Sequence, residues 1–441
     1  MSAAGLRLDQ APPFSVPLRF FLTAPLFPVL AAALLAWAGP AALASRWSPA
    51  MLALTHLFTL GFLAMVMVGA LMQLLPVLAG SPMTRPTRVG GIVHVLLILG
   101  TLSLGFGFLG ATGVLLRVAL ALLGGGFAIF IIAAGVSLAR AASDNPAVNP
   151  MRLALLGLAV TVTLGIALGL RLSGNATGVA ADAWTGIHLG WGLLGWVGML
   201  VMGVAYQVVP MFQLTPPYPA RLMRGLPWFV FAVLAAWSLS MMFAPQKIFF
   251  AIVASVLSML LDLGLATFAV TTLWLQHKRR RRLPDVTLYF WRLAMLSLLA
   301  CVALGLARSA GLEFGPRTDL LLGAWMIIGF ASCAIHGMLY KIVPFLAWLH
   351  LHETHNIRHA LPNMKEILPD ARTMPHLWIH GVALLLISVA ILDPGFWLYP
   401  AAAAIGLSYA WLGWNLASAY ALFRRVVKTA SDPSNRNTAA D

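Results

Sequence analysis

Residues 56–78 read HLFTLGFLAMVMVGALMQLLPVL and contain no Asp, Glu, Lys or Arg. This segment is long enough to cross a bilayer as a helix, because a hydrocarbon core of roughly 30 Å needs about 20 mostly apolar residues. Similar apolar runs occur along the whole chain, broken by Pro, Gly or charged residues. The sequence predicts twelve transmembrane helices, near residues 17–39, 48–79, 89–110, 113–142, 150–172, 182–213, 224–243, 246–276, 287–309, 318–350, 374–392 and 395–425.

The composition of the whole chain agrees with this interpretation. Of the 441 residues, 61% are hydrophobic and 9% are charged, and the mean hydropathy is +0.89. Soluble proteins usually have about 25% charged residues. The composition therefore excludes a water-soluble globular domain, a disordered chain and a nucleic-acid-binding protein. We predict an all-α polytopic membrane protein, with one membrane domain over residues 1–441 and the lipid bilayer as its surroundings.

The basic residues indicate how the helices are oriented. Of the 28 Lys and Arg residues, 21 lie at the termini or in loops after even-numbered helices. Because cytoplasmic loops are enriched in Lys and Arg, we expect a multi-pass protein of a bacterial-type inner membrane, with both termini in the cytoplasm. The stretch 20–45 ends in a signal-peptide-like Ala-Leu-Ala-Ser. Its apolar run is too long for a signal peptide, so we interpret it as a retained first helix.

Two further segments repeat the pattern of residues 56–78: residues 188–212 (HLGWGLLGWVGMLVMGVAYQVVPMF) and residues 321–346 (LLGAWMIIGFASCAIHGMLYKIVPFL). When the three segments are aligned at an offset of 134 residues, they share three columns of identical Gly or Pro residues: Gly61, Gly195 and Gly329; Gly69, Gly203 and Gly337; Pro76, Pro210 and Pro344. Chance is the alternative, since glycine is common in membrane helices. The repeat predicts three four-helix units, near residues 17–142, 150–276 and 287–425, related by a pseudo-threefold axis.

Two of the eleven histidines lie in the outer half of the membrane, on the second and sixth predicted helices. When the segments are aligned at the 134-residue offset, His188 corresponds to position 54. It therefore lies two residues outward of His56, about 3 Å along a helix. The tenth helix has Ala324 and Leu322 at the corresponding positions. Two imidazoles at similar depth could bind one haem iron axially or help to hold copper. They could equally be hydrogen-bonded to neighbouring helices.

Three other ionisable residues lie within predicted helices. His336 is about 18 Å nearer the cytoplasm than the outer histidines, so it cannot share an iron with His56; we expect it to hydrogen-bond a neighbouring helix. Asp262 is a deep carboxylate that could serve a proton or ion route or bond to another helix. Lys341 lies near the inner surface, where we expect it to snorkel.

The predicted cytoplasmic loop at residues 346–373 is rich in histidine. Its segment WLHLHETHNIRH contains four histidines that could form a metal site: His350, His352, His355 and His359. A spacing of i and i+4 can place two metal ligands on one helix face, whereas a wet loop accommodates histidines without any ligand. His376 and His380 form another such pair at the start of the eleventh helix, and we expect them to face this loop.

The chain resembles subunit I of the haem–copper oxidase superfamily, nearest to its cbb3-type and nitric-oxide-reductase branches. The resemblance rests on His56 with Leu60, Gly61, Gly69 and Pro76, and on His188 with Leu194, Gly195, Trp196, Gly203, Tyr206 and Pro210. It implies twelve helices in three four-helix arcs, cytoplasmic termini, and haem near the outer side. By this resemblance His56 matches a low-spin haem ligand, and His188 falls close to a copper ligand.

The departures from that family restrict the chemistry. The seventh helix, WFVFAVLAAWSLSMMF, lacks the His-His pair of the copper site, and the tenth lacks the His-x-His pair that binds two haems. A complete binuclear centre is therefore not supported. We expect a membrane haem protein for electron transfer or for nitric oxide or oxygen handling or sensing, with His56 and His188 as ligands and a cytochrome or quinol as redox partner. Oxidoreductase activity stays open.

Two other functions remain as alternatives. A transporter or permease could have kept the fold without the cofactor, with Asp262, His336 and Lys341 as its polar path. A metal-handling assembly factor could instead use the histidine-rich loop.

Overall fold

The computed structural model describes residues 12–110, 113–141, 145–174, 181–245, 247–280, 283–312, 315–354 and 361–431. These residues form helices joined by short loops, and none of them lies in a β-strand. Eleven helices are long and apolar enough to cross a membrane: α1 Ser15–Leu43, α2 Pro49–Ala79, α3 Pro86–Gly110, α4 Gly113–Arg140, α5 Val148–Ser173, α6 Ala183–Gln213, α7 Ala220–Phe243, α8 Ile248–His277, α9 Val286–Ser309, α10 Thr318–His352 and α11 Asp370–Leu392. The chain is thus a multi-pass α-helical membrane protein.

A further long helix, α12, covers Leu398–Ser431. Its 34 residues are more than the about 20 that a membrane-spanning helix needs, but Trp, Tyr and Asn side chains make it less apolar than the other eleven. It packs against α11 and α1, and its Tyr409 and Asn415 are fully buried. The twelve helices lie close to the predicted ranges, although composition alone qualifies eleven of the described helices as spans.

The helices form a ring around three central helices. The pairs α3 and α4, α7 and α8, and α11 and α12 pack together, while α4 packs on α5, α8 on α9, and α12 on α1. The most apolar part of α2 is 94% buried and those of α6 and α10 are 72% buried, against 50% or less in the other eight spans. The three helices that carry the sequence repeat are therefore the central ones.

Each central helix contains a π-helical segment. These segments are Leu57–Ala64 in α2, Trp191–Gly198 in α6 and Trp325–Ser332 in α10, so they follow the same 134-residue offset as the glycine and proline columns. A π-turn shifts backbone hydrogen bonds from i+4 to i+5 and often occurs at functional sites. The irregular geometry therefore recurs at equivalent positions near the middle of the molecule.

Glycines let each central helix approach the first helix of its own unit. A Cβ at Gly61 would overlap Phe27 on α1, and a Cβ at Gly329 would overlap Ser297 on α9. In the second unit the close approach requires glycine on α5, because a Cβ at Gly157 would overlap the backbone of Gly195. Small residues permit such close packing of membrane helices. The contacts of Gly61 and Gly329 give a physical reason for glycine at two positions of the first column.

The predicted loop at residues 346–373 is shorter in the structure. The helix that contains Pro344 continues to Thr354, although α2 ends three residues after Pro76 and α6 three residues after Pro210. A short helix, Met364–Ile367, has a capping box between Asn363 and Glu366, and α11 begins at Asp370. His350 and His352 therefore lie on a helix end instead of in a loop.

Candidate functional site

The structure brings the side chains of His56 and His188 together. Their ring centroids are 6.5 Å apart and their planes differ by 22°. Nδ1 of His56 donates to the carbonyl of Leu52 at 2.7 Å, and Nδ1 of His188 donates to that of Thr161 at 3.0 Å. Because a carbonyl only accepts, each neutral imidazole carries its proton on Nδ1 and keeps a lone pair on Nε2. Nε2 is thus the nitrogen each ring can offer to a metal.

The two rings are also held by their neighbours. The Phe108 ring lies 5.2 Å from that of His56. On α5, a Cβ at Gly165 would lie 3.0 Å from Cε1 of His188, so glycine gives this imidazole its room. The orientation of the His56 ring therefore depends on a carbonyl of its own helix and on packing from α3, and that of the His188 ring depends on a carbonyl and a glycine of α5.

Both histidines line a cavity of about 1170 Å³ between the central helices. Most ligand pockets have about 300–1,000 Å³, so this one can hold a macrocycle and not only a small solute. Its wall is mostly apolar and includes Phe58, Leu120, Phe127, Leu193 and Ile327. Such a wall suits a large apolar group.

Arginines line the same cavity where loops and helix ends meet it. Nη1 of Arg46 lies 3.0 Å from one oxygen of Asp319, and Nη1 of Arg308 lies 2.7 Å from the other. Arg171 also lines the cavity. The charged residues that line the cavity are these three arginines, Asp262 and Asp319, which gives the lining a formal charge of +1. This excess positive charge favours an anionic group at the wall.

Asp262 faces the same cavity from α8. A Cβ at Gly305 on α9 would lie 2.7 Å from its Oδ2 atom, so the carboxylate packs directly on the neighbouring backbone. Cys301, one turn before Gly305, also lines the cavity. Asp262 thus belongs with the outer histidines and not with His336.

A second cluster contains three fully buried histidines: His336 on α10, and His376 and His380 on α11. Each offers a ring nitrogen within 4.8 Å of the others, and the His336 centroid lies 4.9 Å from that of His376 and 4.6 Å from that of His380. The expectation that His376 and His380 face the histidine-rich loop is therefore wrong. These three histidines could bind a metal ion.

Hydrogen bonds in this cluster run in one direction. Nε2 of His380 donates to the carbonyl of Ile328 at 3.1 Å, so Nδ1 of the neutral ring accepts from the Ser408 hydroxyl at 2.9 Å. The Ser408 oxygen then accepts from Nε2 of His376 at 3.1 Å. The remaining nitrogen, Nδ1 of His376, accepts from the Tyr340 hydroxyl at 2.7 Å. One carbonyl thereby determines both tautomers.

His336 does not take part in this chain of hydrogen bonds. Neither of its ring nitrogens has a partner among the described residues, so the expected hydrogen bond to a neighbouring helix is absent there. Aromatic rings pack around it: Phe62 at 5.6 Å, Phe290 at 5.4 Å and Tyr409 at 5.1 Å. Burial of an imidazole without partners is costly, so His336 is the strongest indication of a ligand at this cluster.

Lys341 forms an ion pair with a residue at the start of α9. Its Nζ lies 2.8 Å from Oδ2 of Asp285, the residue before α9, whose other oxygen accepts from the backbone N–H of Leu288 at 3.1 Å. The carboxylate is close enough to hold the ammonium group. Asp262, His336 and Lys341 thus lie in three different surroundings and do not form one polar path.

The described members of the histidine-rich segment do not converge. His350 donates from Nδ1 to the Leu346 carbonyl at 2.9 Å and its ring stacks on Phe14. His352 donates to the Trp348 carbonyl at 2.8 Å and its ring lies 4.2 Å from that of Trp348. Residues two apart on a helix point to different sides. His355 and His359 lie outside the described residues.

Comparison with known proteins adds no assignment. No family model matches the chain, and no curated protein is significantly similar to it. Any function must therefore be argued from the residues and their geometry.

Proposed function

We propose that this chain is a membrane electron-transfer protein that binds one haem between His56 and His188. The facing imidazoles in the large apolar cavity carry this proposal. With a metal–nitrogen bond of about 2.0 Å and a ring radius near 1 Å at each end, two axial imidazoles have centroids about 6 Å apart. The 6.5 Å between the two ring centroids is close to that distance.

The hydrogen bonds of both ligands fit this role. Metal-binding histidines usually donate their second nitrogen to a carbonyl or carboxylate, which sets the tautomer and the ring orientation. His56 and His188 both do so through Leu52 and Thr161. Bound haem supplies a one-electron couple whose potential depends on its axial ligands and its burial.

The arginines support haem over a neutral macrocycle. Haem carries two carboxylates, and arginine binds carboxylates through two parallel hydrogen bonds. Arg46, Arg171 and Arg308 line the cavity, and Arg46 and Arg308 are both paired with Asp319. These side chains would hold the carboxylates while the apolar wall surrounds the ring.

The arrangement of helices supports a haem–copper oxidase-like fold. Three central helices with equivalent π-segments, inside a closed ring of nine others, correspond to three pseudo-threefold units. Helix α7 contains no histidine, so it cannot supply a further histidine ligand beside His56 and His188. Two imidazoles on one iron leave no axial position for a gas. Electron transfer therefore suits the ligand set better than oxygen or nitric oxide reduction.

The surroundings of the protein follow from the same proposal. The basic residues favour cytoplasmic termini in a bacterial-type inner membrane, which places His56 and the arginines toward the outer side. A cytochrome or a quinol would then exchange electrons with the haem. A permease is less well supported because the three ionisable residues assigned to its path lie apart.

One experiment tests this function. The purified full chain is expected to show a Soret band and reduced-minus-oxidised difference bands. His56→Gly and His188→Gly should each lose or shift these bands, and added imidazole should restore them, because the free ligand replaces the missing ring. His94→Gly is the matched control: this half-buried histidine bonds to Thr23 and does not line the cavity. A colourless protein, or unchanged spectra in both variants, would refute the proposal.

A further inference from the structure

We propose that His336, His376 and His380 form a binding site for monovalent copper. The three ring nitrogens already lie within 4.8 Å of one another. Three imidazoles bound to one ion at about 2.0 Å lie about 3.5 Å apart in a trigonal arrangement. Each ring therefore has to move by less than about 1 Å to complete the site.

The unpartnered state of His336 is the independent observation that points to a ligand. Both of its nitrogens lack partners among the described residues, and the side chain is 0% exposed. A structural histidine at this depth would be expected to share the hydrogen bonds of its neighbours, as His376 and His380 do. A metal ion between the three rings would give a His336 nitrogen the polar partner that the surrounding described residues do not supply.

The uncharged side chains around His336 favour a monovalent ion. The rings around His336 are Phe62, Phe290 and Tyr409, and the ligating histidines must be neutral. The cost of burying an ion rises with the square of its charge, so a divalent ion costs about four times as much as a monovalent one in an uncharged site. Copper is an imidazole-binding metal that also has a stable monovalent state.

Hydrogen bonds that are already present would hold His376 and His380 in orientation around the ion. Copper would take the nitrogens that now contact the Ser408 hydroxyl, which turns away. His380 keeps its Nε2 bond to the Ile328 carbonyl. His376 shifts its proton to Nδ1 and donates to the Tyr340 oxygen, with no net change in protons. Such anchors typically contribute about 10–100-fold to metal affinity.

The test compares three variants of the full chain in detergent. Each is loaded with copper(I) under reducing, oxygen-free conditions, or with zinc, and its bound metal is measured by mass spectrometry. We expect one copper per wild-type chain, three nitrogen ligands by X-ray absorption, and at least about a tenfold loss of affinity in His336→Ala. His94→Ala should retain the copper. The haem spectrum of His336→Ala should be unchanged, which separates this proposal from the function proposed above.

Ser408→Ala distinguishes a metal site from a purely hydrogen-bonded cluster. It removes the hydroxyl between two rings but leaves all three ligands, so it should still bind copper and gain thermal stability when copper is added. His336→Ala should show no such gain even if it folds less well. No copper in the wild type, copper that persists in His336→Ala, or a preference for zinc would overturn the proposal.

Discussion

His380 donates from Nε2 to the carbonyl oxygen of Ile328 at 3.1 Å, across the interface of α11 and α10. Ile328 belongs to the π-helical segment Trp325–Ser332, in which the regular i+4 ladder is interrupted. The neighbouring carbonyl of Ile327 accepts from the Ser332 hydroxyl at 2.8 Å. The π-segment thus turns backbone carbonyls into acceptors for side chains, and one of them orients a histidine of the buried cluster.

The same segment separates the two candidate sites. Ile328 and Phe58 line the large cavity. The Phe58 ring lies 5.6 Å from that of Tyr409, which lies 5.1 Å from that of His336. An aromatic path therefore joins the cavity wall to the histidine cluster.

The packing around His188 gives a prediction that leaves both proposed haem ligands in place. Gly165→Ala adds a methyl group 3.0 Å from Cε1 of His188, so the ring must turn. We expect shifted haem bands and weaker haem retention. Gly125→Ala is the control, because nothing lies within 4 Å of its added Cβ. Equal spectra for the two variants would show that the His188 ring does not hold the iron.

The arginines predict a dependence on charge. Arg308→Gln removes a guanidinium from the cavity wall and should raise the haem dissociation rate about 10- to 100-fold, since a hydrogen bond to a charged group is worth about 1.5–3 kcal/mol. The measurement is transfer of haem to an excess of an apo-acceptor protein. Arg117→Gln is the matched control, because Arg117 lies on α4 and does not line the cavity. Indistinguishable rates would remove the arginines from the binding argument.

The spans and the outer histidine pair could be predicted because the bilayer imposes strong rules. Helix length, the basic loops and the 134-residue columns indicate which helices are equivalent, and equal depth pairs His56 with His188. The partners of His336 could not be predicted. The i and i+4 spacing shows that His376 and His380 share a face of α11, but the rotation of that helix depends on its packing against α10 and α12. The π-segments and the ion pair of Lys341 also depend on packing.

The contact between α5 and α6 predicts a steric limit. A Cβ at Gly157 would overlap the backbone carbonyl of Gly195, and a backbone atom cannot turn aside as a side chain can. Gly157→Ala should therefore separate the two helices and destabilise the protein by about 1–3 kcal/mol or more. Gly225→Ala, which meets nothing within 4 Å, should have little effect. Thermal unfolding in detergent compares the two, and equal midpoints would contradict the close approach.

The ion pair between Lys341 and Asp285 gives a last prediction about the end of the molecule opposite the cavity. Lys341→Met removes the ammonium group that lies 2.8 Å from the Asp285 carboxylate, whose side chain is 7% exposed. Loss of one partner of a buried pair typically costs about 3–5 kcal/mol; because Lys341 is 23% exposed, we expect the lower end of that range. The double variant Lys341→Met and Asp285→Asn should recover much of this loss, since Asn can still cap α9.

Lys365→Met is the control: its pair with Asp370 is 3.5 Å long and more than half exposed on both sides, so its loss should cost less than about 1 kcal/mol. If the single and double Lys341 variants unfolded at the same temperature, the ion pair would not be what stabilises the start of α9.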